Sequence, residues 1–466
     1  MVPLSRRQWL HGAGAGFGWL AAADLLARSE TRQQTPHFPA KAKRVIQLFM
    51  NGGVSQMDTF DYKPELEKRH GQEFQPSSDE KVEAVTSVPG KVMKSPFAFK
   101  QYGQCGRYVS SVFPHLARQV DEMAFLMSVM SKSNVHGPAS FLMNTGFVLP
   151  GFPCMGSWMI YGLGQLTDNL PSFVVLPDAR GFPYNGKANF SSGFLPTSLT
   201  GTIIQAQSPR PIPDITPSAS FASSGGKVSD EGLKTLSALN RLDADTHPQD
   251  DRFEARIASF ELAARMQLAA PEAMDWNRES RETHELYGLH DAQTKEFGTR
   301  CLIARRLIER GVRFVQVWSG AGGPANNWDN HTSIPKELPP IARQVDQPSA
   351  ALLMDLKRRG LLEDTLLLFS TEFGRHPFTQ GADGRDHNQG TSVAWLAGAG
   401  VKPGIAHGES DPFSWRGGPG KVTVHDYHAT VLHLLGIDHE KLTVRNNGAE
   451  RRLTDVHGHV IKPILA

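Results

Sequence analysis

The amino-acid sequence predicts an α/β protein whose mostly parallel central sheet is covered by helices on both faces. Short runs of apolar residues are spaced along the chain, and the segments between them are long enough for helices. Continuous apolar strands of this kind are typical of parallel sheets that are buried on both faces. No period of about 20 to 50 residues repeats, which argues against a solenoid or a propeller. The predicted strands are KRVIQLFM, AFLMSVM, SFVVLP, RFVQVWS, TLLLFST and SVAWLAG.

Two of the helix-length segments have clear boundaries. VDQPSAALLMDLKRRGLLEDT carries apolar residues at spacings of three and four, and Gly360 is placed to end this helix just before the strand at Thr365. VHDYHATVLHLLGI predicts another helix, which ends at Gly436. The segment 225–310 is charged, rich in alanine and helix-periodic, so we interpret it as a helical insertion within one main domain of residues 40–466.

The first residues form a leader that we exclude from the folded domain. Arg6 and Arg7 precede an apolar run that is rich in glycine and alanine, with small residues at 21–23. This pattern predicts a twin-arginine export signal over residues 1–27, and its apolar run is too short to span a bilayer. Because no other segment approaches about 18 uninterrupted apolar residues, we expect a periplasmic or extracellular protein with no integral membrane segment.

Charge and cysteine content exclude two classes of protein. The chain has 49 Lys and Arg against 47 Asp and Glu, a formal net charge of +2, so we expect no nucleic-acid partner. Its three cysteines are far apart and odd in number, which excludes both a disulfide framework and a C-x-x-C zinc site.

Polar residues follow three of the predicted strands, at the edge where open α/β sheets place their sites. These residues, the last of which lies in the polar loop after TLLLFST, are Asn51, Asp58, Asp329, His331, Glu372 and His387. Carboxylate oxygens and imidazole nitrogens from separate loops are the ligands that zinc, manganese and similar divalent ions need. Each residue alone would also suit a turn or a surface ion pair, and their joint occurrence favours a metal site.

The order of these motifs resembles the alkaline phosphatase and sulfatase superfamily. The matching segments are the first strand with its Asn51-Gly-Gly loop, the loop HGPASFLMNTG, the Asp329 and His331 loop, TLLLFSTEFG, GRDHNQGTSVAWLAGAGVKPG and VHDYHATVLHLLGI. More narrowly, GGVSQMDTFDYKP, TEFGR, GRDHN and LHLLGIDHEKLT are similar to the bacterial secreted family called domain of unknown function 1501. The resemblance implies an alkaline-phosphatase-like fold, a divalent metal and hydrolysis of phosphate or sulfate esters.

The resemblance also implies which residues bind the first metal. Asp329, His331 and His387 match the three protein ligands of that site in alkaline phosphatases, and this set suits a catalytic zinc. The superfamily pattern has its Asp and His four residues apart, and here Asn327 rather than Asp329 stands four residues before His331. Zinc is the expected metal, with manganese or calcium as alternatives.

The second metal site of the superfamily matches less well. Its first-strand acid corresponds to Asn51, and its late Asp-His pair corresponds to Glu372 and Phe373. An amide and a phenyl ring replace an anionic and an imidazole ligand, so a second ion would need Asp58 or His136 as a further ligand.

Three mechanisms stay open, because the position of the superfamily nucleophile falls on His136. Metal-activated water could attack the ester while Arg375 or Arg385 holds its anionic group and His136 acts as general acid or base. Alternatively, His136 attacks phosphorus or sulfur itself, or a hydroxyl of Ser133 or Ser140 does so.

The function that the sequence favours is a secreted, metal-dependent hydrolase that acts on phosphate or sulfate esters of small molecules or polysaccharides. The alternative is a degenerate, non-catalytic relative that binds sulfated or phosphorylated polysaccharide. The complete set of Asp329, His331 and His387 favours the enzyme, whereas Asn51 and Phe373 favour the binding protein.

Overall fold

We describe the protein from a computed structural model, which covers residues 36–76, 82, 86, 88–208, 211–212, 235, 238–239, 262, 266, 269–323 and 327–466. The strands, β1 to β15 in chain order, are Arg44–Met50, Phe99–Tyr102, Arg107–Ser110, Met123–Met130, Phe173–Leu176, Thr202–Ile203, Phe314–Ser319, Thr365–Ser370, Gly374–Gln380, Gly384–Asn388, Ser392–Gly398, Ile405–His407, Val422–Thr423, Val444–Asn446 and Ala449–Arg451. The α-helices, α1 to α7, are Pro64–Lys68, His136–Thr145, Met155–Leu163, Arg281–Leu286, Lys295–Glu309, Ile334–Arg358 and Val424–Leu434. Short 3₁₀ helices are Gln56–Asp58, Leu116–Glu122, Gly186–Phe190, Thr197–Leu199, Trp276–Arg278, Leu361–Glu363 and Lys462–Ile464.

One mixed sheet organises the fold, and most of its neighbouring strands are parallel. The strand order is β12-β4-β11-β8-β1-β7-β5-β6, and β13 also pairs with β4. The central strand β1 runs parallel to both β7 and β8. Among the described strands of this sheet, β11 runs antiparallel to its neighbours β4 and β8. The predicted α/β fold with a mostly parallel sheet is therefore confirmed.

Both faces of the sheet are buried, which explains why most residues of its central strands are apolar. Ile46 and Leu48 of β1 pack into one hydrophobic core with α5 and α6. Val45 and Phe49 point to the opposite face and pack into a second core with α3 and α7. Successive residues of a strand face opposite sides, so a strand that is covered on both sides has no polar face.

Both helices with predicted boundaries are present, and α6 is longer than expected. It ends two residues before Gly360, whose φ of 69° is a backbone angle that glycine adopts without strain. Its first turns begin at Ile334, upstream of the predicted segment, and include Pro339 and Pro340. Burial of Leu338 in the core stabilises these turns, where the local helix preference of the sequence is low.

Two segments that the sequence suggested as loops are regular structure. The polar segment after β8 forms the antiparallel hairpin β9–β10, and HGPASFLMNTG forms α2. Pro138 lies in the first turn of α2, where a helix leaves backbone N–H groups without partners, so its missing N–H costs nothing there.

Two predictions fall partly or wholly outside the described residues. The leader of residues 1–27 lies outside them, as does most of 225–268 in the predicted helical insertion. In the described remainder of that segment, α5 packs against β7 and α6. No helix within the described ranges is both long and apolar enough to cross a membrane.

Candidate metal centre

The carboxyl ends of β1, β7 and β8 meet at one edge of the sheet and position the candidate residues. Met50 is level with Ser319 of β7, and Phe49 is level with Ser370 of β8. The Thr371 hydroxyl donates to the Met50 carbonyl at 2.8 Å and joins the segments that follow β1 and β8. Residues predicted at three separate strand ends therefore share one edge of the sheet.

The Asn51-Gly-Gly loop turns sharply, as predicted, and presses against the segment that carries Asp329 and His331. Gly52 has a φ of 123°, and a Cβ there would lie 2.6 Å from the backbone nitrogens of Trp328 and Asp329. Both the backbone angle and the close approach therefore require glycine at this position.

The hairpin β9–β10 brings His387 to the same edge. Its pairing sets His387 opposite Arg375. The hairpin packs closely on the backbone of His331, because a Cβ at Gly384 would overlap the His331 carbonyl. The helix α2 supplies His136 as its first residue, so distant parts of the chain contribute imidazoles to one place.

Four side chains converge on one point, and we call them the His/Asp cluster: His136, Asp329, His331 and His387. Each offers one ligand atom, and the four atoms lie within 4.8 Å of one another. The Nε2 atoms of His331 and His387 lie 2.7 Å and 3.1 Å from Asp329 Oδ1. His136 Nε2 lies 3.2 Å from Asp329 Oδ2. The Nε2 atoms of His331 and His387 are 2.8 Å apart.

Each histidine of the cluster uses its other ring nitrogen to bind an oxygen of the protein. The pairs are His136 Nδ1 donating to Glu372 Oε1 at 2.8 Å, His387 Nδ1 donating to the Asn134 carbonyl at 2.8 Å and His331 Nδ1 donating to Gln380 Oε1. These acceptors hold all three rings in the tautomer whose Nε2 carries a lone pair. Three nitrogen lone pairs and one carboxylate are therefore directed at one point, which is the arrangement that a divalent cation requires.

The donor set of the cluster fits a divalent metal. Imidazole nitrogens suit zinc, whereas calcium and manganese sites are built mainly from oxygen ligands. The Nε2 atom of His136 is buried, and Asp329 Oδ2 lies 3.2 Å from it. A metal ion between these two atoms would take the lone pair of the one and the negative charge of the other.

Burial and neighbouring charges set the protonation of the cluster. Burial alone would raise the pKa of Asp329, but the charge of Arg375 and the close ring nitrogens of the three histidines hold that pKa far below its ordinary value. Burial lowers the pKa of His387 to about 4. Burial also lowers the pKa of His136, but the neighbouring carboxylates of Asp329 and Glu372 outweigh it and raise that pKa. At neutral pH, Asp329 is ionised and His387 is neutral, and these are the forms that bind metals.

The cluster lies at the protein surface rather than in a closed core. The His331 side chain is 22% exposed, and those of Asp329 and His136 are each 10% exposed. The cluster is therefore partly open to solvent on the His331 side.

Glu372 and Asn51 lie beside the cluster and are bonded to other parts of the protein. The Glu372 carboxylate accepts hydrogen bonds from the Gly52 N–H and from His136, both through Oε1, and its Oε2 lies 3.2 Å from the Thr371 hydroxyl oxygen. The Asn51 amide nitrogen donates to two carbonyls of the loop after β7, and its buried oxygen has no hydrogen-bond partner. Glu372 thus orients a histidine, and neither residue belongs to the converging set.

Asp58 and Arg385 are bonded to each other and lie apart from the cluster. Arg385 Nε is 2.6 Å from Asp58 Oδ2, and both side chains are fully buried. Arg385 also donates to the carbonyls of Met93 and His376. These two predicted residues therefore lie outside the metal centre. They form a buried ion pair in which each charge is neutralised by the other.

Arg375 borders the cluster, and its guanidinium is fully buried. Its Nη2 lies 2.6 Å from Asp329 Oδ1 and also donates to the Gly52 carbonyl. Its Nε donates to the Gly53 carbonyl at 2.8 Å, and its Nη1 donates to the Arg385 carbonyl at 3.0 Å. Because all three nitrogens are bonded within the protein, Arg375 holds Asp329, whereas the sequence suggested that it holds an anionic ester.

The loop after β7 presents Asp329, and not Asn327, to the cluster. The Asn327 side-chain oxygen accepts a hydrogen bond from the Asp329 N–H at 2.9 Å. Its amide nitrogen donates to the carbonyls of Ala321 and Gly323. Asn327 therefore stabilises the conformation of the loop. Asp329 and His331, two residues apart, both direct their side chains into the His/Asp cluster.

Tyr184 and Gln380 contact the cluster, and the sequence did not indicate either of them. The Tyr184 ring stacks on His136 with centroids 4.2 Å apart and 5° between the ring planes, and its hydroxyl lies 3.4 Å from Asp329 Oδ2. Burial raises the pKa of Tyr184 to about 12. Both residues come from segments without a motif, so only their positions in space identify them.

Solved structures with a similar arrangement of the chain include three enzymes. The PsFucS1 sulfatase from Pseudoalteromonas sp. has a TM-score of 0.34 and 12% identity, over 90% of this chain and 71% of that chain. The lipoteichoic acid synthase LtaP from Listeria monocytogenes has a TM-score of 0.37 and 10% identity, over 90% and 76%. The phosphonate monoester hydrolase SpPMH from Silicibacter pomeroyi has a TM-score of 0.31 and 13% identity, over 76% and 71%.

The sequence of nearly the whole domain, residues 42–465, matches a family model. A search of curated proteins finds no match. A family model described as Protein of unknown function (DUF1501) matches residues 42–465, a range that includes every residue of the His/Asp cluster. The chain therefore belongs to the DUF1501 family, as its motifs predicted.

Proposed function

We propose that the protein is an exported, metal-dependent hydrolase of phosphate or sulfate esters. One observation carries this proposal: three histidines, each bonded through Nδ1 to an oxygen of the protein, direct their Nε2 atoms at the Asp329 carboxylate. Ligands that are ordered in this way are typical of metal sites. The class of ester rests on the sequence resemblance to alkaline phosphatases and sulfatases, and export rests on the leader with Arg6 and Arg7.

Each residue in and around the cluster has a role in this proposal. Asp329, His331, His387 and His136 hold the ion, and zinc matches their three nitrogens and one oxygen best. A bound zinc polarises the ester and lowers the pKa of water toward about 7. Glu372 keeps the proton of His136 on Nδ1, so that Nε2 is available to the ion. We therefore assign His136 as a ligand, and not as the nucleophile that was one of three possibilities.

Tyr184 is the residue best positioned to contact a substrate. Its hydroxyl donates to the Gly323 carbonyl at 3.0 Å and lies 3.4 Å from Asp329 Oδ2. With a pKa of about 12, the phenol keeps its proton at neutral pH, and by rotating away from the Gly323 carbonyl it would donate a hydrogen bond to an anionic ester instead. We therefore assign Tyr184 the hydrogen bond to the substrate.

A non-catalytic protein that binds sulfated or phosphorylated polysaccharide is the second candidate. The observation in its favour is the number of ligands, because four protein ligands complete a tetrahedral zinc as they do in structural sites. Catalytic zinc sites usually keep one position for water or substrate. The guanidinium groups of Arg375 and Arg385 are both bonded to carboxylates of the protein, so they distinguish neither candidate, since both would have to bind an anionic ester without them.

Metal analysis and activity assays on the purified chain test the proposal. We expect at least one equivalent of zinc per chain and hydrolysis of an aryl phosphate or an aryl sulfate. His387→Ala should lose the metal and the hydrolysis together. His425→Gln is the matched control, because His425 bonds to the Gly146 carbonyl and lies outside the cluster. Bound zinc without hydrolysis of either ester would favour the binding protein, and a wild-type chain without metal would refute the enzyme.

A further inference from the structure

A permanent positive charge borders the His/Asp cluster on its buried side. The Arg375 side chain has no exposed surface, and its Nη2 lies 2.6 Å from Asp329 Oδ1. Its Nη1 lies 3.5 Å from His331 Nε2. The guanidinium therefore touches two of the four residues that would hold a metal ion.

Arg375 is fixed in this position by the backbone around it. The carbonyls of Gly52, Gly53, Trp328 and Arg385 accept its N–H groups. Moving the guanidinium would leave several buried carbonyls without hydrogen bonds, which is costly. Its charge therefore stays beside the cluster whether or not an ion is bound.

The residues around Arg375 do not form a second metal site among the described parts of the chain. The Glu372 Oε1 atom already accepts two hydrogen bonds, and the Asn51 amide nitrogen is bonded to backbone carbonyls, which leaves the Asn51 oxygen as a neutral ligand atom without a hydrogen bond. The Phe373 ring lies next to them, with its centroid 4.9 Å from that of His136 and 4.7 Å from that of His387. A second divalent ion at this place would contact an apolar ring and would have few ligand atoms available. The positive charge of the guanidinium would also repel it.

We propose that the His/Asp cluster binds one divalent ion only and that Arg375 is its permanent second cation. This inference rests on the proposed metal site and goes further, because it states the number of ions and gives Arg375 a role. Arg375 neutralises part of the charge on Asp329 and repels a bound cation, so its charge lowers the affinity of the site for the ion. It acts through this charge and not on the substrate, since its bonded nitrogens reach no substrate.

Counting the bound ions tests this inference on the wild-type chain. Chelator-treated protein is titrated with zinc by isothermal titration calorimetry and is separately dialysed against excess zinc or manganese for metal analysis. One ion per chain is expected in each measurement. Two ions per chain would overturn the inference and leave the proposed hydrolase intact, whereas no bound ion would overturn both.

The variant Arg375→Gln tests the role of the charge. Removing a positive charge next to the ion should lower the zinc Kd by roughly tenfold, whereas loss of a purely structural arginine should raise it. Arg313→Gln is the matched control, because buried Arg313 donates to three backbone carbonyls at the start of β7, and its zinc Kd should equal that of the wild type. An unchanged or higher Kd in Arg375→Gln would overturn this role. If the variant does not fold, the number of ions that the wild-type chain binds remains the test of the inference, with one ion supporting it and two overturning it.

Discussion

Replacing Glu372 with Gln should weaken zinc binding although it removes no ligand of the His/Asp cluster. The same carboxylate oxygen, Oε1, accepts hydrogen bonds from His136 Nδ1 and from the Gly52 N–H, both at 2.8 Å. Gln can keep an oxygen at this place, so the fold and both contacts are retained and only the negative charge is lost. Charged hydrogen bonds are roughly twice as strong as neutral ones, so the hold on the His136 ring is weakened but not removed.

The expected size of this effect follows from the position of Glu372 behind a ligand. Changes of such supporting residues cost roughly 10- to 100-fold in metal affinity, and because Gln retains the hydrogen bond we expect the lower end. A tenfold loss corresponds to about 1.4 kcal/mol of binding free energy. Glu372→Ala removes the acceptor altogether, and we expect it to reach the upper end of that range.

Isothermal titration calorimetry with zinc on chelator-treated protein measures both losses. Glu309→Gln is the control, because this carboxylate lies 2.6 Å from Arg305 and takes no part in the cluster. Circular dichroism shows whether each variant keeps the fold of the wild type. If both Glu372 variants bind zinc with the wild-type Kd, the idea that the Nδ1 partners order the cluster is refuted.

Acid should destabilise the fold partly through His428, which is buried and donates to the Met143 carbonyl, with burial lowering its pKa to about 3. Because an unfolded histidine has a pKa of about 6.5, its contribution is complete above pH 6.5 and is lost as the pH falls toward 3, by about 1.4 kcal/mol per pH unit for one proton. Denaturant titrations of His428→Gln between pH 7 and pH 4 should therefore give a shallower slope of the free energy of unfolding, and an equal slope would contradict the assignment. Tyr184→Phe should keep the zinc Kd and lower kcat for the hydrolysed ester by roughly 100-fold, since one hydrogen-bond donor is lost; full activity would limit Tyr184 to stacking. Replacing Arg6 and Arg7 with Lys should stop export, as measured by fractionation, and continued export would exclude the twin-arginine signal.

The central strands are predictable because their sequences carry the pattern that burial on both faces imposes. The strand β1 has apolar residues facing two hydrophobic cores, so its sequence is apolar on both faces except at Gln47, which bonds to Ser370 and Gln316 of the neighbouring strands. The helix stop at Gly360 is predictable for a similar reason, since a local backbone angle selects glycine. Such features depend on a few neighbouring residues, and the sequence states them directly.

The hairpin β9–β10 is not predictable from its pattern, because its buried side chains are charged. Arg375 and Arg385 have no exposed surface, although arginine is almost always found at the surface unless it is paired. Their partners, Asp329 and Asp58, come from distant segments of the chain. A periodicity analysis therefore interprets these residues as a polar loop.

For the site, the sequence by itself determined that carboxylate and imidazole residues follow several parallel strands, and it identified Asp329, His331 and His387. Only the tertiary structure decided that His136 joins them, that Glu372 lies behind that histidine and that a buried arginine borders the cluster. The physical reason is distance along the chain: His136 and Glu372 are 236 residues apart and meet through one 2.8 Å hydrogen bond. Local pattern encodes which residues are buried and where a strand ends, whereas the directions of ligand atoms depend on how the whole sheet brings its loops together.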